Sequence, residues 1–228
     1  MGKAAGKARA LKEEAASPWL PQQERTRARD QKREAVLKTA AQLFCVQGFH
    51  NTTLADIARQ LHITKPAIYH YFSSKDEILV ECVRGALAAV EGEFETASRQ
   101  GDNARERLVH FMTWYAENMT TVFGMCLVRI ADQDLEQKTR QELYAAKTQV
   151  DRRIRQLLEQ GIEDGSIAPC NARLAAFTIA GALSWVGHWY KPGGRLAPNE
   201  VAEHVVGLLT SGLSPRPPTP PAVERARR

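Results

Sequence analysis

With 228 residues, 43% hydrophobic and 25% charged, the chain can bury the core of one large or two small globular domains. No apolar run is long enough to span a bilayer and no apolar stretch follows the basic first residues, so a cytoplasmic protein without membrane association is expected. The net charge of +5 is uneven: nine Lys/Arg against four acids over residues 1–33, eighteen against twenty-one over 34–214, and four against one over 215–228.

Basic ends on a mildly acidic body suggest arms that meet phosphate, or simply solvated tails. Cys45, Cys82, Cys126 and Cys170 are far apart and form no CxxC pair, which argues against structural zinc. Buried reduced thiols are expected, with redox sensing at Cys126 as the alternative.

Residues 1–28 show no sustained apolar stripe and are expected to form a flexible basic arm. Arg25, Arg27 and Arg29 would sit where an arm could enter a minor groove or screen phosphate. The first helix is expected over 30–47, where Val36, Leu37, Ala40, Ala41, Leu43 and Phe44 keep helical spacing. Gly48 stops it and Phe49 supplies the cap contact.

The stretch 53–75, TLADIARQLHITKPAIYHYFSSK, carries the chemistry. Thr53 and Asp56 have capping-box spacing, and Leu54, Ile57, Ala58 and Leu61 share a face. His62 falls at the turn, where histidine tolerates a left-handed backbone better than most residues. Thr64 can cap a second helix, with Pro66 in its first turn and Ile68 and Phe72 pointing inward. Lys65, Ala67, Tyr69, His70 and Tyr71 are left on other faces. Small, hydroxyl and aromatic groups beside one cation, on so short an element, suit close approach to sugar-phosphate and base edges in a major groove. Ser74 and Glu77 cap the next helix, with Lys75 placed for a phosphate at its N-terminus.

The sequence from Gln47-Gly48-Phe49 through Thr52-Thr53-Leu54-Ala55-Asp56-Ile57-Ala58, Thr64-Lys65-Pro66-Ala67-Ile68-Tyr69-His70-Tyr71-Phe72 and Lys75-Asp76-Glu77-Ile78-Leu79 resembles the TetR/AcrR family of transcriptional repressors. The match covers about residues 30–80; His62 departs from the glycine usual there. The resemblance implies phosphate contacts from Thr53, Tyr69, Tyr71 and Lys75, and base-edge or groove contacts from Thr64, Lys65, Ala67 and His70. Packing between helices is the other role for Tyr69 and Tyr71.

A helix over 75–98 would link this head to an all-helical body. Asn103 caps the first helix of that body. Residues 122–130, VFGMCLVRI, form a short apolar helix, and 135–160 a long charged one ending at Gly161 or Gly165. Residues 172–190 are apolar on nearly every face and so need cover on every face. With 198–212 they are taken as the homodimer surface, since two heads related by a twofold axis read a near-palindromic operator.

Phe111, Trp114, Tyr115, Phe123, Cys126, Arg129, Phe177, Trp185 and Trp189 are the candidate effector-binding set: aromatics to line an apolar pocket, Arg129 to meet an acidic group. Plain core packing is the alternative for each aromatic. The segment GSIAP…AAFTIAGALSWVGHWYKPGG resembles the bodies of TetR-family repressors that sense acyl-CoA thioesters, which makes acyl-CoA the leading effector and a drug-like or aromatic compound its rival.

The expectation is therefore an all-α protein: a flexible arm (1–28), a three-helix helix-turn-helix DNA-binding domain (29–76), a larger helical effector-binding and dimerisation domain (77–213) and a disordered Pro/Arg-rich tail (214–228). Its partners would be double-stranded operator DNA and a small hydrophobic effector. No catalytic motif, metal site or cofactor is called for. A non-specific architectural DNA binder is the alternative class, and an activator the alternative regulator.

Overall fold

A computed structural model of the chain describes residues 22–130 and 135–211, and these residues are helical with no strand. Nine helices appear among them: α1 (Gln22–Gln47), α2 (Leu54–Gln60), α3 (Lys65–Tyr69), α4 (Lys75–Ala97), α5 (Ala104–Asn118), α6 (Val122–Arg129), α7 (Gln137–Glu163), α8 (Ala172–Trp189) and α9 (Pro198–Ser211). None is long and apolar enough to cross a membrane.

The first helix begins eight residues earlier than its apolar pattern predicts, inside the expected flexible arm. Residues 22–47 contain no Gly or Pro, and Gln, Glu, Arg and Lys are good helix formers. A helix nucleated by its packed half, from Val36 onward, propagates backward at little cost. The missing apolar stripe only means that these turns are not buried, and residues 23–27 are indeed exposed. The rest of the arm and the Pro/Arg-rich tail lie outside the described residues.

Two cores hold the molecule together. In the head, Val36, Ala40 and Phe44 of α1 meet Ile57 and Ala58 of α2, Ile68 and Phe72 around α3, and Ile78, Leu79, Cys82 and Val83 of α4. Gly48, at φ 86°, ends α1, and Phe49 folds back edge-on to Phe44 with ring centroids 5.1 Å apart. In the body, α5 is central: Leu108, Phe111, Met112 and Ala116 are fully buried among α4, α7, α8 and α9, and Phe111 stacks on Phe94 at 3.8 Å.

The head and body are not separated at residue 76. α4 runs through both, giving its first half to the head core and Val90, Phe94 and Ala97 to the body core. The head core also takes in Cys126, Ile130, Leu135 and Leu143. The junction is made largely by α6, which packs on both α1 and α8. Two glycines seat α6 closely against the end of α5 and against α8. A Cβ on Gly124 would lie 2.1 Å from the Asn118 carbonyl oxygen, and one on Gly187 of α8 would lie 2.6 Å from Val128 Cγ2.

α8 buries Ala176, Ile179, Leu183 and Val186 against the body. Its other face exposes Leu174 and Trp185, each 62% accessible, and Trp189; α9 exposes Leu208. The chain thus covers α8 on one side, where the sequence called for cover on every face.

Candidate nucleic-acid interface and effector cavity

The helix-turn-helix is built from local hydrogen bonds. Thr53 caps α2: its Oγ1 accepts from the Asp56 N–H at 3.2 Å, while the Asp56 carboxylate accepts from the Thr53 hydroxyl at 2.6 Å and N–H at 2.9 Å. These bonds, the Thr53 hydroxyl first, hold the Asp56 carboxyl below its ordinary pKa. α2 ends in a Schellman motif. His62 sits at φ 54°, its N–H donates to Arg59 O at 3.1 Å, and the Ile63 N–H donates to Ala58 O at 3.0 Å.

Thr64 takes the extended N-cap backbone of α3, but its hydroxyl makes no capping bond. Pro66 has no N–H to offer, and the Ala67 N–H is used by the Thr64 carbonyl at 3.0 Å. The Thr64 hydroxyl therefore faces outward uncommitted. Ile68 and Phe72 are buried as expected, which fixes the roll of this short helix. Thr64, Lys65, Tyr69 and His70 are exposed together, with the Lys65 ammonium 5.8 Å from the Tyr69 ring centre. Ala67 is partly covered, and Tyr71 packs partly against the head core.

Lys75 departs from the expected picture. Its Nζ donates to the carbonyls of Phe49 at 2.9 Å, His50 at 3.3 Å and Thr52 at 3.4 Å, and lies 4.5 Å from the Phe49 ring centre. The ammonium is spent on the loop between α1 and α2. A phosphate would have to compete with three carbonyls for it.

A cavity of about 730 Å³ opens between α4, α5, α6, α7 and α8. Val83, Ala86, Leu87 and Val90 of α4 and Met119, Leu127 and Val128 make it apolar. Lys147, Arg152 and Arg155 of α7 and Arg173 of α8 make it cationic. The Tyr115 hydroxyl reaches Ser184 Oγ at 3.3 Å across it, and burial pushes the tyrosine pKa up. Arg173 also lies over the Phe177 ring at 5.6 Å.

Of the nine residues expected at the effector site, only Tyr115 and Phe177 line this cavity. Phe111 is enclosed in the body core, with Trp114 tilted against it. Phe123 and Cys126 pack into the head core. Trp185 and Trp189 lie on the exposed face of α8. Arg129 donates to Gly187 O at 2.8 Å and Tyr190 O at 2.9 Å, closing the C-terminus of α8, where a cation is favoured by the helix dipole.

The cavity's own cations were missed because they read as the solvated face of a charged helix. Their spacing was the available signal: Lys147, Asp151 and Arg155 recur every four residues along α7, with Arg152 three before Arg155.

Comparison with known proteins agrees with both halves of this architecture. A model described as bacterial regulatory proteins of the tetR family matches residues 36–82, and one described as a tetracyclin repressor-like C-terminal domain matches residues 101–213. The HTH-type transcriptional repressor KstR2 of Rhodococcus jostii (strain RHA1) is 27% identical over 199 residues, 85% of this chain and 97% of that protein. The structure of the ketosteroid transcriptional regulator KstR2 of Mycobacterium tuberculosis aligns with a TM-score of 0.73 at 26% identity, covering 81% of this chain and 95% of that one. The structure of AibR in complex with isovaleryl coenzyme A and operator DNA aligns with a TM-score of 0.67 at 26% identity, covering 77% and 96%.

Proposed function

The chain belongs to the TetR family of bacterial regulatory proteins, and on that footing we propose that it is a repressor that binds a near-palindromic operator as a dimer and is released by an acyl-CoA thioester. The observation that carries the effector is the cavity, whose apolar wall and cationic rim meet in one space. An acyl chain fits the first and the phosphates of coenzyme A the second. A drug-like or aromatic compound would use the wall and leave the cationic rim unmatched. The relative crystallised with isovaleryl coenzyme A and operator DNA supports the same reading.

In the head, Thr64, Lys65, Ala67, Tyr69 and His70 form the surface offered to the groove, with Thr53 and Tyr71 beside them at the backbone. Lys75 holds the loop that positions them. Dimerisation through α8 and α9 sets two heads on successive major grooves. The thioester is bound and not turned over, and the protein works in the cytoplasm, beside its operator.

Release is a matter of linkage. α4 lines the cavity with Val83, Ala86, Leu87 and Val90 and anchors the head with Ile78 and Leu79. A ligand about a hundredfold selective for a head-spread state costs roughly 2.7 kcal/mol of operator affinity.

Thermal denaturation with acyl-CoAs of graded length tests the proposal. At a hundredfold excess over Kd the stabilisation is about 2.7 kcal/mol, or roughly 5–10 °C for a chain of this size. Replacing Arg152, Arg155 and Arg173 together by Ala is expected to weaken acyl-CoA roughly tenfold or more and leave the unliganded melting point in place. Stabilisation by uncharged aromatics alone would transfer the site to the rival class.

A further inference from the structure

Three cysteines far apart in sequence meet at the junction between head and body. Cys45 comes from α1, Cys82 from α4 and Cys126 from α6, and all three belong to or border the same buried cluster. The Cys45 Sγ lies 3.8 Å from the Val122 carbonyl in the first turn of α6. Cys126 lies one turn beyond Val122 on the same face of α6, fully buried in the cluster that Cys45 borders. Neither DNA docking nor effector binding uses this pair.

The three thiols differ in environment. Cys45 is half-buried, so a small oxidant reaches it, whereas Cys82 and Cys126 are buried. The hydrogen bond from Cys126 holds the Cys45 pKa below the usual thiol value against the opposing effect of burial, and the nearby Arg129 guanidinium adds to it. Burial pushes Cys82 up to about 12. Cys45, the accessible one, is thus the thiol that meets the oxidant, Cys126 the neighbour that can resolve it, and Cys82 a bystander.

We propose that Cys45 and Cys126 form a thiol switch, closed by a hydroperoxide into a disulfide that ties the DNA head to the effector body. The Cys45 thiolate attacks one peroxide oxygen, the O–O bond breaks, and the departing alkoxide or hydroxide takes a proton, leaving a sulfenic acid. The Cys126 sulfur then attacks the Cys45 sulfur. The S–O bond breaks, and the hydroxyl leaves as water with the Cys126 proton. The peroxide gains two electrons and the two thiols lose two.

The consequence, which rests on the proposed function, is regulatory. α6 lines the cavity through Leu127 and Val128 and packs on α1. A covalent bond between α1 and α6 fixes the head relative to the cavity wall, so effector binding no longer moves it.

The test requires neither DNA nor effector, so it fails or succeeds independently of the proposed function. Full-length reduced protein is treated with a few equivalents of hydrogen peroxide, alkylated and digested with trypsin, which leaves the three thiols on separate peptides, 39–59, 76–84 and 108–129. The expected product joins the first and third peptides, is reversed by dithiothreitol, and melts about 5 °C or more above the reduced protein. Cys82→Ala should leave the cross-link intact, and Cys126→Ala should trap Cys45 as a dimedone-reactive sulfenic acid. The switch is overturned if wild-type Cys45 stays reduced in excess peroxide, accumulates as an uncross-linked oxyacid, or pairs with Cys82 or Cys170 instead.

Discussion

Lys75 carries three carbonyl hydrogen bonds, so its removal is felt first in the fold. Lys75→Met keeps the apolar stem against Phe49 and deletes the ammonium, leaving the Phe49, His50 and Thr52 carbonyls without this donor. We expect a loss of about 1–3 kcal/mol in urea denaturation. The salt dependence of DNA binding should keep its slope; a slope reduced by one ion with unchanged stability would restore the phosphate contact. Thr53 and His62 were legible in the sequence because their partners lie within five residues. Lys75 was not, because its partners lie 23–26 residues back and nothing in the local pattern brings that loop over it.

At the scale of elements, three helix starts depend on carboxylates. Asp56 serves α2, Glu77 accepts the Ser73 N–H and hydroxyl ahead of α4, and Asp164 accepts the Ala104 N–H at the start of α5. All three pKa values are lowered, mainly by hydrogen bonds from Thr53, Ser73 and Ser166. A depressed folded pKa gives stability that is present above the ordinary carboxylate value and lost as the pH falls through the folded one. Amide exchange in the first turns of α2, α4 and α5 should therefore accelerate below about pH 4, ahead of the buried turns of α5. Asp56→Asn should remove the acid-dependent part of this at α2, and exchange that is uniform at every pH would count against it. Helix bounds were legible where caps and glycines mark them, as at Asn103 and Gly48, whereas the end of α7 was left open between Gly161 and Gly165. The cavity was less so. Helical spacing shows which residues share a face, but not which faces meet, so aromatics spread over three segments were grouped when only Tyr115 and Phe177 converge.

For the whole molecule, the proposed dimer puts the uncovered face of α8 and α9 between two heads. Leu174, Trp185, Trp189 and Leu208 stand exposed there while the residues behind them are buried. Trp185→Glu places a charge on that face without disturbing the core. Sedimentation should show a folded particle of half the mass, with operator affinity down by about a hundredfold or more as one head binds alone. A dimer of unchanged affinity would place the interface elsewhere. The α6 helix adds a constraint of a different kind. At Gly124 and Gly187 its neighbours stand where a single methyl group would not fit. A machine part seated with no clearance has no backlash. A push on α6 from the cavity has no slack to take up before reaching the end of α5 on one side and α8 on the other, so small ligands and small displacements suffice. The same fit makes this stretch intolerant of added atoms, and mutations that enlarge either glycine should cost signalling even where the chain still folds.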